Sequence, residues 1–170
     1  MSKSSLIISE WFHQYSNDVY NYLVYYTGST DVEDLVQEVF IKVIKGLKSY
    51  KGESSPKTWI FSIARNVAID DARKRNKKRN LSLDEQMITA DEDSPEKIFL
   101  QNEEKKALYH AIQMLKSNYR EVVLLRGIKE MTVSETSEIL NWKEEKVRST
   151  YSRALKSLRK LQGGDLNDEL

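Results

Sequence analysis

The stretch Thr30-Asp31-Val32-Glu33-Asp34-Leu35-Val36-Gln37-Glu38-Val39-Phe40 decides what kind of fold this chain adopts. Its apolar residues Val32, Leu35, Val36 and Val39, continued by Val43, recur at i, i+3, i+4, i+7 and i+11, the period of a helix with one buried stripe. Thr30 followed by Glu33 has the form of a capping box and predicts a helix starting near Asp31. The next start signal is Ser55-Pro56, an N-cap with proline in the first helical position. The helix behind it turns Ile60, Ile63, Ala64 and Val67 inward and ends in a basic block. Ahead of Thr30, from about Ser9 to Tyr26, an aromatic-rich segment predicts a first packing helix, so residues 9–79 read as one small helical domain.

Further along, Ser94-Pro95 repeats the N-cap and proline signal and predicts a helix from roughly Pro95 to Leu115. Two more helices follow, opened by the boxes Asn118-Tyr119-Arg120-Glu121 and Thr132-Val133-Ser134-Glu135. After Leu140, Asn141-Trp142-Lys143 form a short turn, and a last helix runs from about Glu144 to Leu161. On a helical wheel that last helix gathers Val147, Tyr151, Ala154, Leu158 and Leu161 on one side. Glu145, Ser149, Ser152, Arg153, Lys156 and Lys160 lie opposite, flanked by Lys146 and Arg148. Helix, tight turn and basic helix is the helix-turn-helix layout. The fold class is therefore all-α: two small helical domains, residues 1–79 and 95–170, joined by a flexible acidic linker over residues 80–94.

Composition narrows the chemistry. The 170 residues include no Cys, and the two His residues, His13 and His110, are far apart, which argues against disulfides, thiolate catalysis and most zinc or His-based sites. Six unclustered Gly argue against a phosphate-cradling loop. No metal, cofactor or small-molecule substrate is expected, and no enzymatic activity. No apolar run approaches the roughly 18 residues that span a bilayer, and the N-terminus lacks the apolar stretch of a secretory signal, so the expected location is the cytosol.

The net charge of +1 conceals a strong local asymmetry. Arg65 to Arg79 holds seven basic and two acidic residues, Leu81 to Glu96 six acidic and no basic ones, and Lys143 to Lys160 again seven basic and two acidic. Two basic blocks separated by an acidic connector suit two anion-binding surfaces on separate modules. Solvated helix faces and a solvated loop account for the charge alone equally well.

Three segments, in order, lift the first reading above the second. Asp34 to Phe40, then Thr58-Trp59-Ile60-Phe61-Ser62-Ile63-Ala64-Arg65-Asn66 with Ile69, Asp70 and Arg73, then Tyr119-Arg120-Glu121-Val122-Val123 with the terminal helix-turn-helix, closely resemble bacterial extracytoplasmic-function sigma factors. The resemblance covers about residues 9–161. It implies a region 2 domain that binds core RNA polymerase and melts and reads the minus-ten element, and a region 4 domain that reads the minus-thirty-five element of promoter DNA. It also implies an anti-sigma factor as partner, commonly membrane-anchored.

The same resemblance assigns site residues. Asp34, Gln37 and Glu38, which lie off the apolar stripe, with Leu35 and with Phe40 at the edge, are implied to grip the polymerase clamp. The segment Tyr50-Lys51-Gly52-Glu53-Ser54 is similar to the loop that holds a flipped non-template base. Trp59 joins that set, although core anchoring explains it better than stacking, because the aromatic first helix needs a partner. Asn66, Asp70, Arg73 and Lys77, at i, i+4, i+7 and i+11, form a stripe implied to face the minus-ten region. On the last helix Lys146, Arg148, Ser149, Ser152, Arg153 and Lys156 are implied to meet the minus-thirty-five element. The rival reading is a stand-alone helix-turn-helix regulator. Against it, the fourteen residues from Leu81 to Ser94 span up to about 48 Å when extended, enough for one chain to reach two DNA sites. A nuclease built on Asp70-Asp71 is weaker, since adjacent helical carboxylates face different directions.

Overall fold

Helix-forming periodicity dominates the chain, and the computed structural model, which describes residues 2–81 and 102–163, consists of helices joined by loops and turns over those residues. It divides into two units, Met1–Lys97 and Ile98–Leu170. Apart from Asn80 and Leu81, which end a helix, the acidic linker expected over residues 80–94 and the Ser94-Pro95 start lie outside the described residues.

In the first unit α1 (Lys3–Thr27), α2 (Glu33–Gly46) and α3 (Pro56–Leu81) pack on one another. Helix α1 begins earlier than the aromatic segment predicts, because the Ser2 hydroxyl accepts the Ser5 N–H at 3.2 Å and caps it. It stops at Gly28, whose φ of 74° lets its N–H reach the Val24 carbonyl. The capping box expected at Thr30 does not form. Helix α2 starts at Glu33 behind Val32, which makes no side-chain cap bond and is instead fully buried. Thr30 is held in place differently: its carbonyl accepts the Tyr20 hydroxyl at 3.2 Å. Burial first, then the nearby Glu33 and Asp31 carboxylates, push the Tyr20 pKa further up from its ordinary value. Tertiary burial of Val32 thus outcompetes a local cap worth about 1 kcal/mol.

Ser55-Pro56 behaves as expected: the Ser55 hydroxyl accepts the Thr58 N–H at 3.1 Å and α3 begins at Pro56. The helix buries Ile60, Phe61, Ala64, Val67 and Ala68, whereas Ile63 is only half-buried. Phe61 meets Tyr22 edge-on with centroids 5.4 Å apart, and both are fully buried. From Ala72 to Asn80 every residue is exposed, so the basic end of α3 runs beyond the core that anchors it.

The second unit contains α4 (Glu103–Gln113), α5 (Ser117–Val122), α6 (Val133–Leu140) and α7 (Glu144–Leu161). Helix α4 is opened by Asn102, whose side chain accepts the Glu104 N–H at 2.9 Å in extended backbone. The box expected at Asn118 is displaced, for α5 begins at Ser117 behind Lys116, with no side-chain cap, and Glu121 is buried. The box at Thr132 forms in full, with Thr132 Oγ1 accepting from Glu135 N at 3.0 Å and Glu135 Oε1 accepting from Thr132 N at 2.9 Å. Between α5 and α6 the helix widens into a π-turn, Val123–Ile128, which keeps the successive residues Val122 to Leu125 buried.

Arg120 ties this unit together. Its guanidinium donates to the Ile112 carbonyl at 3.3 Å, the Gln113 carbonyl at 2.7 Å and the Leu115 carbonyl at 3.4 Å, and so joins α5 to the chain at the end of α4. Replacing Arg120 with Leu is expected to destabilise the second unit by about 1–3 kcal/mol. Amide hydrogen exchange should then quicken across residues 103–161 and stay unchanged across 3–81; equal acceleration in both would show that the effect is not confined to these carbonyls.

Candidate functional site

Helices α2, α3 and α7 each bury one stripe and expose another, and with the loop between α2 and α3 they make four surfaces. On α2 the polar residues Asp34 and Gln37 are exposed, Glu38 pairs with Lys42 at 3.8 Å, and Leu35 is half-buried. Phe40 is only 5% exposed and lies against Phe12 with centroids 5.0 Å apart, so it shapes this surface from beneath and is not at its outer edge. Beside the polar residues runs an apolar groove of about 650 Å³ between α1 and α2, lined by Ile8, Phe12, Gln37, Phe40, Ile41 and Ile44 among others. Ile41 and Ile44 are about half exposed, at 50% and 53%. The sequence carries a signal for this groove outside the periodic stripe: α2 has Ile41 and Ile44 in addition to the residues that its core uses.

The loop between α2 and α3 forms the second surface. The Tyr50 ring stacks on Trp59, with centroids 4.6 Å apart and planes 22° from parallel, and Trp11 of α1 meets both rings edge-on at 5.8 and 6.1 Å. The Tyr50 hydroxyl donates to the Ser54 carbonyl and closes the loop on itself. Gly52 takes φ 73° at the exposed tip, a conformation that side chains rarely adopt. Ser49, Tyr50, Lys51, Glu53, Ser54 and Trp59 line a concavity of about 210 Å³. Of the loop residues singled out in the sequence, Tyr50, Lys51, Glu53 and Ser54 therefore come together around one hollow, and Gly52 is not among its lining residues. Trp59 is half-buried, packed on its neighbours while lining the hollow, which combines the two roles that the sequence left open.

Along α3, Asn66, Arg73 and Lys77 are exposed and Asp70 is half-buried. Asp71 does not compete with this stripe, because it pairs with Arg75 at 2.9 Å.

The fourth surface is α7. Val147, Thr150, Ala154 and Leu158 are buried, while Leu161 is 40% exposed and Tyr151 half-buried. Thr150 thus takes an inward place that the wheel gave to Leu161. Lys146, Arg148, Ser149, Ser152, Arg153 and Lys156 are all exposed. Arg148 reaches Glu144 at 3.5 Å, and the Lys146 ammonium sits 4.3 Å from the centre of the Trp142 ring. In the sequence Trp142 stands only as a turn residue.

Among the described residues no cluster of His, Asp and Glu side chains is placed to hold a metal ion. Among the same residues no helix is long and apolar enough to cross a membrane.

Comparison with known proteins places both units. Residues 11–78 match the Sigma-70 region 2 model and residues 105–158 the Sigma-70 region 4 model. The chain is 35% identical to the ECF RNA polymerase sigma factor SigX of Bacillus subtilis (strain 168), over 94% of this chain and 84% of that protein. It is 34% identical to the ECF sigma factor SigM of the same organism, over 96% of this chain and the whole of that one. In fold it is similar to the sigma factor RpoE from Bartonella quintana, solved with the anti-sigma factor NepR, at a TM-score of 0.75 and 21% identity over 92% of this chain and 97% of that one. A second solved structure, CnrH with the cytosolic domain of CnrY, gives a TM-score of 0.68 at 20% identity over 96% and 89% of the two chains. With both sigma regions matched in order and near-complete overlap with such relatives, the chain belongs to the sigma-70 family, in its ECF branch.

Proposed function

We propose that this protein is the promoter-specificity subunit of RNA polymerase, without catalysis of its own, and that its four surfaces divide the work. Residues 1–79 serve as the polymerase-binding and minus-ten module, residues 80–94 as the linker and residues 95–170 as the minus-thirty-five module. The observation that carries the reading is the aromatic-walled hollow at Tyr50 and Trp59, at the N-terminal end of the helix that carries the exposed stripe. A hollow with a stacked aromatic wall suits a base taken out of a duplex, and cations further along the same helix suit the strand that it leaves. Asn66, Asp70, Arg73 and Lys77 contact the minus-ten region in this reading, and Lys51 and Glu53 edge the hollow. Asp34, Gln37 and Glu38, with the apolar groove of Ile41 and Ile44, dock core polymerase. On α7, Lys146, Arg148, Ser149, Ser152, Arg153 and Lys156 meet the minus-thirty-five element. That work belongs to the cytosol. The RpoE structure contains the anti-sigma factor NepR, and by likeness we infer an anti-sigma partner for this chain.

Run-off transcription with purified core polymerase is the direct test. The chain should confer promoter selectivity on core polymerase and bind promoter DNA weakly when free. Tight, sequence-specific binding by the free chain would instead favour a stand-alone regulator.

Asp34→Ala combined with Gln37→Ala should weaken core binding in a pull-down while leaving circular dichroism unchanged, since both side chains are exposed. Unchanged core affinity would remove this patch from the interface. Trp59→Leu should slow promoter opening, read with a permanganate footprint of the melted region, and base–aromatic stacking sets the expected loss at about 1–3 kcal/mol. Arg153→Ala should lower transcription from promoters that need the upstream element, by roughly 1–3 kcal/mol if it reads a base and by less if it touches phosphate. Equal activity of mutant and parent across such promoters would place Arg153 outside the interface.

A further inference from the structure

The short turn before α7 carries a large aromatic residue whose role the fold does not account for. Turns favour small polar residues, and the left-handed backbone of this one is taken by Asn141, at φ 57°. The backbone of Trp142 is tied twice to α6: its N–H donates to the Ser137 carbonyl at 3.1 Å, and its carbonyl accepts the Ser137 hydroxyl at 2.5 Å. Neither bond needs an indole. The side chain stays half-buried, and the Lys146 ammonium lies 4.3 Å from the ring centre. Lys146 stands in the first turn of α7, the part of a recognition helix that reaches base edges. Glu144 of the same turn is engaged by Arg148 at 3.5 Å, and Glu145 is exposed.

A lysine on an exposed helix face has four rotatable bonds and sweeps readily between phosphate and base. Held over an indole face, it keeps its charge, loses part of that freedom before DNA arrives, and presents its N–H donors in a restricted direction. The base edge that answers such a donor in the major groove is guanine, with acceptors at both O6 and N7.

We propose that Trp142 is a positioning residue for promoter reading: its indole aims the Lys146 ammonium at a guanine in the upstream promoter element. This rests on the promoter-binding role proposed for α7 and names the base that α7 would read through Lys146.

The test uses the full-length chain with core polymerase and a library of promoter duplexes randomised across the upstream element. The parent should enrich guanine at one position, and Lys146→Met should lose that enrichment. Trp142→Leu should lower it about two- to fivefold, the range expected for an exposed cation–π contact, and leave other positions alone. Trp142→Phe, which keeps a π face, should retain most of it. In a Lys146→Met background, Trp142→Leu should cause no further loss. The inference is overturned if Trp142→Leu weakens all positions alike, if it has no effect, or if it acts by the same factor without Lys146. A parent that selects promoters with no guanine dependent on Lys146 overturns this inference alone. A parent that gives core polymerase no selectivity overturns the proposed function and the inference with it.

Discussion

A helix in a unit this small buries one stripe, and that limit governs where function resides in this protein. Helix α3 spends its first half on the core, through Ile60, Phe61, Ala64, Val67 and Ala68, and then leaves it. What remains, from Ala72 to Asn80, is helix without a core partner and is held in register by the packed half. Arg73 and Lys77 are presented on a rigid arm because Phe61 and Tyr22 anchor its base. Helix α7 obeys the same limit differently: it is packed along most of its length by Val147, Thr150, Ala154 and Leu158, so its basic face runs parallel to its buried one. One unit therefore offers a projecting arm and the other a flat face. An arm suits a separated strand, and a face suits a groove.

The loop between α2 and α3 is shaped by the same economy. Trp11, Tyr50 and Trp59 fasten α1, the loop and α3 to one another, and two of the three also line the hollow. Gly46 belongs to this arrangement, since a Cβ there would come within 3.0 Å of the Trp59 ring. A larger residue at that position would force the Trp59 ring to shift. The rings that give the loop its stability thus also give the hollow its walls, and changes to one are felt in the other.

Much of this was legible in the sequence because it depends on local chemistry. Ser55-Pro56 and the Thr132 box act through atoms three residues apart, and the structure keeps both. The boxes at Thr30 and Asn118 have the same spelling and fail, because Val32 and Glu121 are drawn into burial that no window of four residues reveals. The early start of α1 went unread, since Ser2 precedes the aromatic segment that marked the helix. The groove beside Asp34 was missed for a related reason: Ile41 and Ile44 look like core residues until Val39, Phe40 and Val43 are seen to fill the core without them. The exposed basic faces were the easiest part, because charge declares itself and a helix fixes its direction. What periodicity could not supply was contact, such as the indole beneath Lys146 or the three carbonyls around Arg120.

The charge on each face bears on how selectivity arises. On α7 six Lys and Arg residues are exposed, and Arg148 is already drawn to Glu144. Each phosphate neutralised adds about 0.9 to the logarithmic salt slope and carries no sequence information, so neither basic face selects a promoter by charge alone. Modest discrimination by each module suffices, provided something joins the two events. Polymerase can do so by holding both modules at a set separation, which turns the second contact into an intramolecular one at high effective concentration. Selectivity then requires both elements at the proper distance, and neither module needs strong affinity of its own.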